Sequence, residues 1–171
     1  VLNEAWGTGW HRRFKRFDVR PIAAASIGQV HQAWLHDGTH LAIKVQYPGI
    51  SRSIDSDVAN LGRLLRLSGL LPKGFDLGPY LDEARAQLHE EADYAAEAAH
   101  LERFATLLAG SQDFVLPQFH APLSSKTVLA MSFVASAPIE SLGDAPPQIR
   151  DRGVTRLIQL MLRELFAFGV M

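Results

Sequence analysis

His40-Leu41-Ala42-Ile43-Lys44-Val45-Gln46-Tyr47-Pro48-Gly49 is the stretch on which the fold turns. Its alternation predicts a strand with Leu41, Ile43, Val45 and Tyr47 on one face and His40, Ala42, Lys44 and Gln46 on the other. Pro48-Gly49 ends it. A lysine in mid-strand is not buried without a partner charge, and Ala42 beside it leaves space in front of the sheet. A flat ligand could lie there with its phosphates near the ammonium group. The same pattern also fits a solvated face with an exposed lysine.

Upstream, Asp37-Gly38 marks a hairpin and Gln29 to His36 a strand. Ala23 to Gly28 is a run of small residues with Ile27 its one bulky member. Asp18 to Ile22 reads as extended, with Pro21 holding Arg20 extended, and Val1 to Phe17 as a short amphipathic helix and a loop. Downstream, Ile54, Val58, Leu61, Leu64 and Leu65 predict a helix from Ser53 to about Leu67. Pro79 opens a second helix running to about Leu108, ended by Gly110. Val115 to Phe119 and Thr127 to Val134 read as strands. Ala135 to Pro147 reads as a linker and Pro147 to Phe168 as a final helix. The expected class is α+β, an antiparallel sheet with helices packed on it.

Composition bounds the function. The chain has 171 residues and no cysteine, so disulfides and thiolate chemistry are excluded. Lys plus Arg is 17 and Asp plus Glu 18, which argues against a nucleic-acid binder. No apolar run approaches the ~20 residues of a membrane span, and no secretory signal opens the chain. The expected location is cytoplasmic, with peripheral attachment to the inner face of a membrane as the alternative.

Beside Lys44, two groups of residues carry the chemistry. The small-residue run Ala23 to Gly28 could let backbone N–H groups approach phosphate oxygens, or could simply connect two strands tightly. The second expected helix carries Glu90, Glu91, Asp93, Glu97 and Glu102. On one continuous helix, at about 100° per residue, Asp93 and Glu97 share a face toward Lys44, while Glu91 lies roughly 120° around from Glu97. A Lys–Glu pair between sheet and helix would hold the ammonium where phosphates bind; a solvated acidic face is the alternative. Ala24-x-Ser26-x-Gly28 superficially matches a nucleophile elbow but lacks the strand-turn-helix context. The histidines offer no metal cluster: His89 and His100 share a helix face about 16 Å apart.

Pro21-Ile22-Ala23-Ala24-Ala25-Ser26-Ile27-Gly28-Gln29-Val30-His31, Leu41 to Ile50, and Glu91-Ala92-Asp93-Tyr94-Ala95-Ala96-Glu97-Ala98 occur in that order. Together they resemble the UbiB/ADCK/AarF family of atypical protein-kinase-like proteins: its alanine-rich loop, its nucleotide-lysine strand, and its ExD motif followed by the helix glutamate. The resemblance implies a protein-kinase-like N-terminal lobe over residues 1–134, with about five strands, a long αC-type helix and an extra helix. A hinge over 135–147 and the start of a helical C-lobe over 148–171 would follow.

By the same resemblance, Lys44 and Glu97 are the catalytic pair, with Lys44 on the α/β-phosphates. Ala23, Ala24, Ala25, Ser26, Ile27, Gly28 and Gln29 would cover the nucleotide, ATP or ADP with Mg2+, and Ala42 would line its site. Met131 would be the gatekeeper, with Ser132 to Val134 the hinge meeting adenine. Glu91 and Asp93 would face the family's KxGQ segment. No KxGQ segment, catalytic loop or DFG motif is present, so the expectation is a fragment with no metal ligands of its own, inactive alone. The implied role is ubiquinone biosynthesis, with partner proteins or lipid at a membrane surface. The competing expectation is a non-catalytic module that docks on a partner or membrane through the leucine-bearing helix after Ser53.

Overall fold

A computed structural model describes residues 1–72 and 74–169 of the chain. Its element order is α1 (Leu2–Trp6), β1 (Phe14–Phe17), β2 (Ala23–Ala25), β3 (Gly28–Leu35), β4 (His40–Gln46), α2 (Ile50–Leu67), α3 (Gly78–Glu91), α4 (Tyr94–Leu107), β5 (Val128–Ser132) and α5 (Pro147–Arg163). Short 3-10 turns lie at Trp10–Arg13, Ala121–Leu123 and Ile139–Asp144, and a π turn at Glu164–Phe168 continues α5. The five strands form one antiparallel sheet in the order β1-β3-β4-β5, with β2 also pairing with β3. The α+β class is therefore as expected.

The chain divides into two compact units. One comprises Val1–Glu102 and Pro117–Phe133, the other Arg103–Leu116 and the residues from Val134 onward. The first unit holds the sheet. Leu41 and Ile43 on β4, Ala33 on β3 and Val128 and Ala130 on β5 bury one face against Trp6, Phe14 and Leu123. The alternation of β4 is the cause: every second side chain falls on the apolar side. The Trp6 indole N–H donates to the Leu123 carbonyl at 2.9 Å, pinning α1 to the loop before β5. Burying Trp6, Phe14, Leu41 and Ile43 contributes roughly 1.5–3 kcal/mol each. The opposite face carries a smaller cluster of Ile27, Tyr94, Ala98 and Leu129.

Four departures from the sequence reading have local causes. Asp18 to Ile22 is not itself a strand. β1 lies before it and β2 after it, and both follow β3, with Asp18 N–H donating to the Gln32 carbonyl and Ile22 N–H to that of Val30. Pro21 between them has no N–H to donate. Val115 to Phe119 is also not a strand. Only Phe119 bridges to Met131, and Pro117 removes a ladder donor just upstream.

α2 begins at Ile50, earlier than expected, because Gly49 at φ 78° takes the left-handed conformation that Tyr47-Pro48 needs to turn into the helix. Finally, the single helix expected from Pro79 to Leu108 is two, α3 and α4, broken at Ala92-Asp93. Asp93 Oδ1 accepts the N–H groups of Ala95 and Ala96 at 2.9 and 3.3 Å, acting as the cap of α4. A short acid that captures backbone N–H groups competes with continuation of a helix.

In the second unit, α5 and the Ile139–Asp144 turn pack together, with Leu142 against Gly153. Asp113 accepts from Arg156 at 3.0 Å.

Candidate functional site

Lys44 sits in the middle of the sheet, with Val30 of β3 and Leu129 of β5 as its register partners. Its Nζ donates to both carboxylate oxygens of Glu97, at 2.8 and 2.7 Å. Glu97 lies in the first turn of α4. The two side chains are 20% and 38% exposed. A pair in contact with water contributes about 1 kcal/mol or less to stability, so it fixes the ammonium in place more than it holds the fold together. Nζ also lies 4.9 Å from the centroid of the Tyr94 ring.

The alanine run forms one arm of a hairpin. Ala23 pairs with Val30, Ala24 with Gln29 and Ala25 with Gly28, which leaves Ser26 and Ile27 as the turn. Ile27 turns inward and is buried, and its carbonyl accepts the Tyr47 N–H at 2.9 Å. Gly28 pairs with Gln46 of β4. A Cβ there would overlap the Val45 carbonyl oxygen and lie 3.0 Å from the Tyr94 hydroxyl. At the exposed tip, the Ser26 hydroxyl donates to Glu91 Oε2 at 2.6 Å.

These elements enclose an open cleft of about 360 Å³ walled by Ser26, Lys44, Glu91 and Glu97, with Glu90, Ala96 and His100 completing it. One ammonium faces a carboxylate-rich wall under a hairpin of small residues. The structure thus brings Ser26, Lys44, Glu91 and Glu97 together. Asp93 does not line the cleft, because its side chain caps α4. The broken helix reverses the sequence arithmetic: Glu91, at the end of α3, faces Lys44's side, and Asp93 does not.

Of the other site residues expected from sequence, those in the first unit are not among the residues that wall that cleft. Ala42 is two residues along β4 from Lys44, with Met131 its partner on β5. Ser132 pairs with Leu41. Its N–H donates to the Gln118 carbonyl and its hydroxyl accepts the Gln118 N–H, both at 2.8 Å. Val134 belongs to the second unit.

Two residues that sequence reading left without a role belong to this region. Gln46, on the Lys44 face of β4 and buried, donates to the Ala92 carbonyl at 2.7 Å, holding the break between α3 and α4 against the sheet. Tyr94, inside the quoted acidic stretch, is 1% exposed. Burial, then the charges of Glu97 and Glu91, push its phenol well above the usual range, so it stays neutral. The signal for Tyr94 was its place three residues before Glu97, on the same side of a helix.

Among known proteins, the chain matches the ABC1 atypical kinase-like domain over residues 1–171. It is 40% identical over 170 residues to "Atypical kinase coq-8, mitochondrial" of Caenorhabditis elegans, covering 99% of this chain and 22% of that protein. It is 39% identical to "Atypical kinase COQ8B, mitochondrial" of Danio rerio, covering 100% of this chain and 27% of the relative. The Saccharomyces cerevisiae relative, "Atypical kinase COQ8, mitochondrial", is 36% identical, with 100% of this chain and 34% of the relative covered. The chain thus spans between about a fifth and a third of the length of these relatives. A solved complex of Rv3197 with erythromycin from Mycobacterium tuberculosis aligns with a TM-score of 0.66 at 33% identity, covering 83% of this chain and 36% of that one. With the motif order, the sheet and the Lys44–Glu97 pair alongside these matches, the chain belongs to the ABC1 atypical kinase-like family.

Proposed function

We propose that the chain is the nucleotide-binding part of an atypical kinase or ATPase that serves ubiquinone biosynthesis, taking ATP or ADP with Mg2+. The observation that carries this reading is the bidentate Lys44–Glu97 pair beside the Ser26 tip of an alanine-rich hairpin. An ammonium held by a carboxylate is a fixed positive point beside which α/β-phosphates can be neutralised. The hairpin, small from Ala23 to Ser26, would lie over them. Adenine would extend along the sheet past Ala42 and Met131 toward the backbone of Ser132.

The fit to the nucleotide rests on Lys44 and on the close backbone approach at Gly28, which admits no side chain. Among the described residues no group of three or more His, Asp or Glu side chains is placed to hold a metal ion. Mg2+ bound with the nucleotide would neutralise phosphate charge beside Lys44. The names of the COQ8 relatives and the motif order support the pathway assignment, with partner proteins of that pathway as the expected associates.

Titration with a fluorescent ADP analogue and Mg2+ tests the reading. Lys44→Met is expected to weaken binding about ten-fold or more, in line with loss of a charge-assisted contact. Equal binding by the two proteins overturns it.

A second reading, docking on a lipid surface, rests on α2. Ile54, Val58 and Gly62 turn inward, while Leu61, Leu64 and Leu67 are 50%, 65% and 84% exposed, with Arg63 and Arg66 beside them. Such a row suits an interfacial helix. Flotation with anionic liposomes tests it: wild-type chain in the floated fraction and the Leu64→Ser, Leu67→Ser variant out of it supports lipid docking, and equal flotation removes it.

A further inference from the structure

We propose that Tyr94 is a positioning residue for Lys44, the face of its ring holding the ammonium where Glu97 grips it. The consequence for phosphate binding rests on the nucleotide reading above; the contact itself does not.

The ring stands at the junction of three parts of the first unit. It is the first residue of α4, three residues ahead of Glu97, which sets both on one side of the helix. It packs with Ile27 of the hairpin turn, with Leu129, the strand partner of Lys44, and with Ala98 one turn further along α4. Lys44 Nζ lies 4.9 Å from its centroid, inside the ~6 Å range over which a cation is drawn to the negative face of an aromatic ring. Two of the three N–H donors of the ammonium are engaged by Glu97. With the carboxylate on one flank and the ring on another, the group is held in one place with a donor left for a ligand. Lysine side chains are otherwise among the most mobile, so a second, non-bonding wall narrows further the positions the ion pair leaves open to the ammonium.

The hydroxyl argues that the ring, not the phenol, is what the site uses. It is buried and without a hydrogen-bond partner among the described residues. Its neutral form, favoured by burial, adds no charge beside Lys44. Filling this position asks only for an apolar side chain of the right volume. What an aromatic ring adds is the quadrupole.

A ring series separates the two roles at nearly constant shape. Tyr94→Phe keeps the negative face; 3,4,5-trifluorophenylalanine at the same position has it drained by fluorine while filling the same space; Tyr94→Met removes the ring. The chain has four lysines, so the Lys44 side-chain signals are assignable by NMR with Lys44→Met as reference. The expected results are ring-shifted Lys44 ε-methylene protons in wild type and Tyr94→Phe, loss of that shift in Tyr94→Met, and increased side-chain mobility of Lys44 in the trifluoro variant. Nucleotide affinity is expected to be unchanged in Tyr94→Phe and about three-fold weaker in the trifluoro variant, the size of a partly exposed cation–π contact. Lys44 mobility identical in the Phe and trifluoro variants overturns the proposal. This readout needs no nucleotide and, because the ring series keeps its volume, does not depend on Tyr94→Met folding. If wild type and Lys44→Met bind nucleotide equally, the nucleotide reading fails and the mobility comparison still decides the role of Tyr94.

Discussion

The Ser26 hydroxyl and the Glu91 carboxylate meet at 2.6 Å across 65 residues of sequence, joining the tip of the β2–β3 hairpin to the end of α3. The bond is at the surface, so its net worth to the fold is about 1 kcal/mol or less. Its effect is on the hairpin. Ser26→Ala is expected to leave the urea midpoint nearly unchanged while amide exchange at Ser26, Ile27 and Gly28 speeds up. Unchanged exchange there would show that the β2–β3 ladder alone holds the tip.

Gly28 tolerates no side chain. Because an added Cβ overlaps the Val45 carbonyl oxygen, a rigid backbone atom, the hairpin must move off β4. Gly28→Ala is expected to destabilise by about 1–3 kcal/mol, the usual cost of overpacking, read from urea unfolding. A loss below about 0.5 kcal/mol would mean that the hairpin shifts freely.

Glu97→Gln separates stability from binding. The pair is partly exposed, so the thermal midpoint should move by only about 1–3 °C, matching less than 1 kcal/mol. Nucleotide affinity should fall about ten-fold as Lys44 loses its anchor. A large stability loss with intact affinity would contradict this assignment.

Asp93→Ala removes the cap of α4. The expected loss is about 1 kcal/mol, with Asp93→Asn retaining most of it, both measured by chemical denaturation. The first turn of α4 carries Tyr94 and Glu97, so the alanine variant should also loosen the Lys44 pair. Circular dichroism should show little change in total helix.

Alkaline pH reads out Tyr94. Burial raises its phenol pKa in the folded chain above the ordinary 10.0. In the unfolded chain the phenol ionises near 10.0, and in the folded chain only at higher pH. The associated stability is fully present below pH 10 and is lost as pH rises through the folded value. Stability of wild type should therefore fall more steeply above pH 10 than that of Tyr94→Phe. Parallel curves would place the phenol in contact with water.

Much of the site is legible in the sequence. The period of two in Leu41–Tyr47 places Lys44 opposite the core because side-chain direction alternates along any strand. The hairpin at Asp37-Gly38 follows from the left-handed backbone that glycine adopts there, φ 91° at Gly38. Boundaries near prolines were less legible. Pro21 and Pro117 interrupt ladders in ways that depend on which neighbouring strand would have accepted the missing donor. The arithmetic that turned Asp93 toward Lys44 failed for one reason: it assumed a continuous helix, and Asp93 itself ends that continuity by capping α4.

What the amino-acid sequence determined alone was local: strand alternation, the small-residue run, and a lysine and a glutamate of the right types to pair. Those features depend on residues within a few positions of one another, where backbone geometry dictates direction. Tertiary structure decided which acids share the cleft with Lys44, that Gly28 lies against Val45, and that the Tyr94 ring stands over the ammonium. Each of these is a meeting of segments distant along the chain. Whether they touch is set by how α3 and α4 pack on the sheet, and a break of two residues between helices is enough to exchange one carboxylate for another.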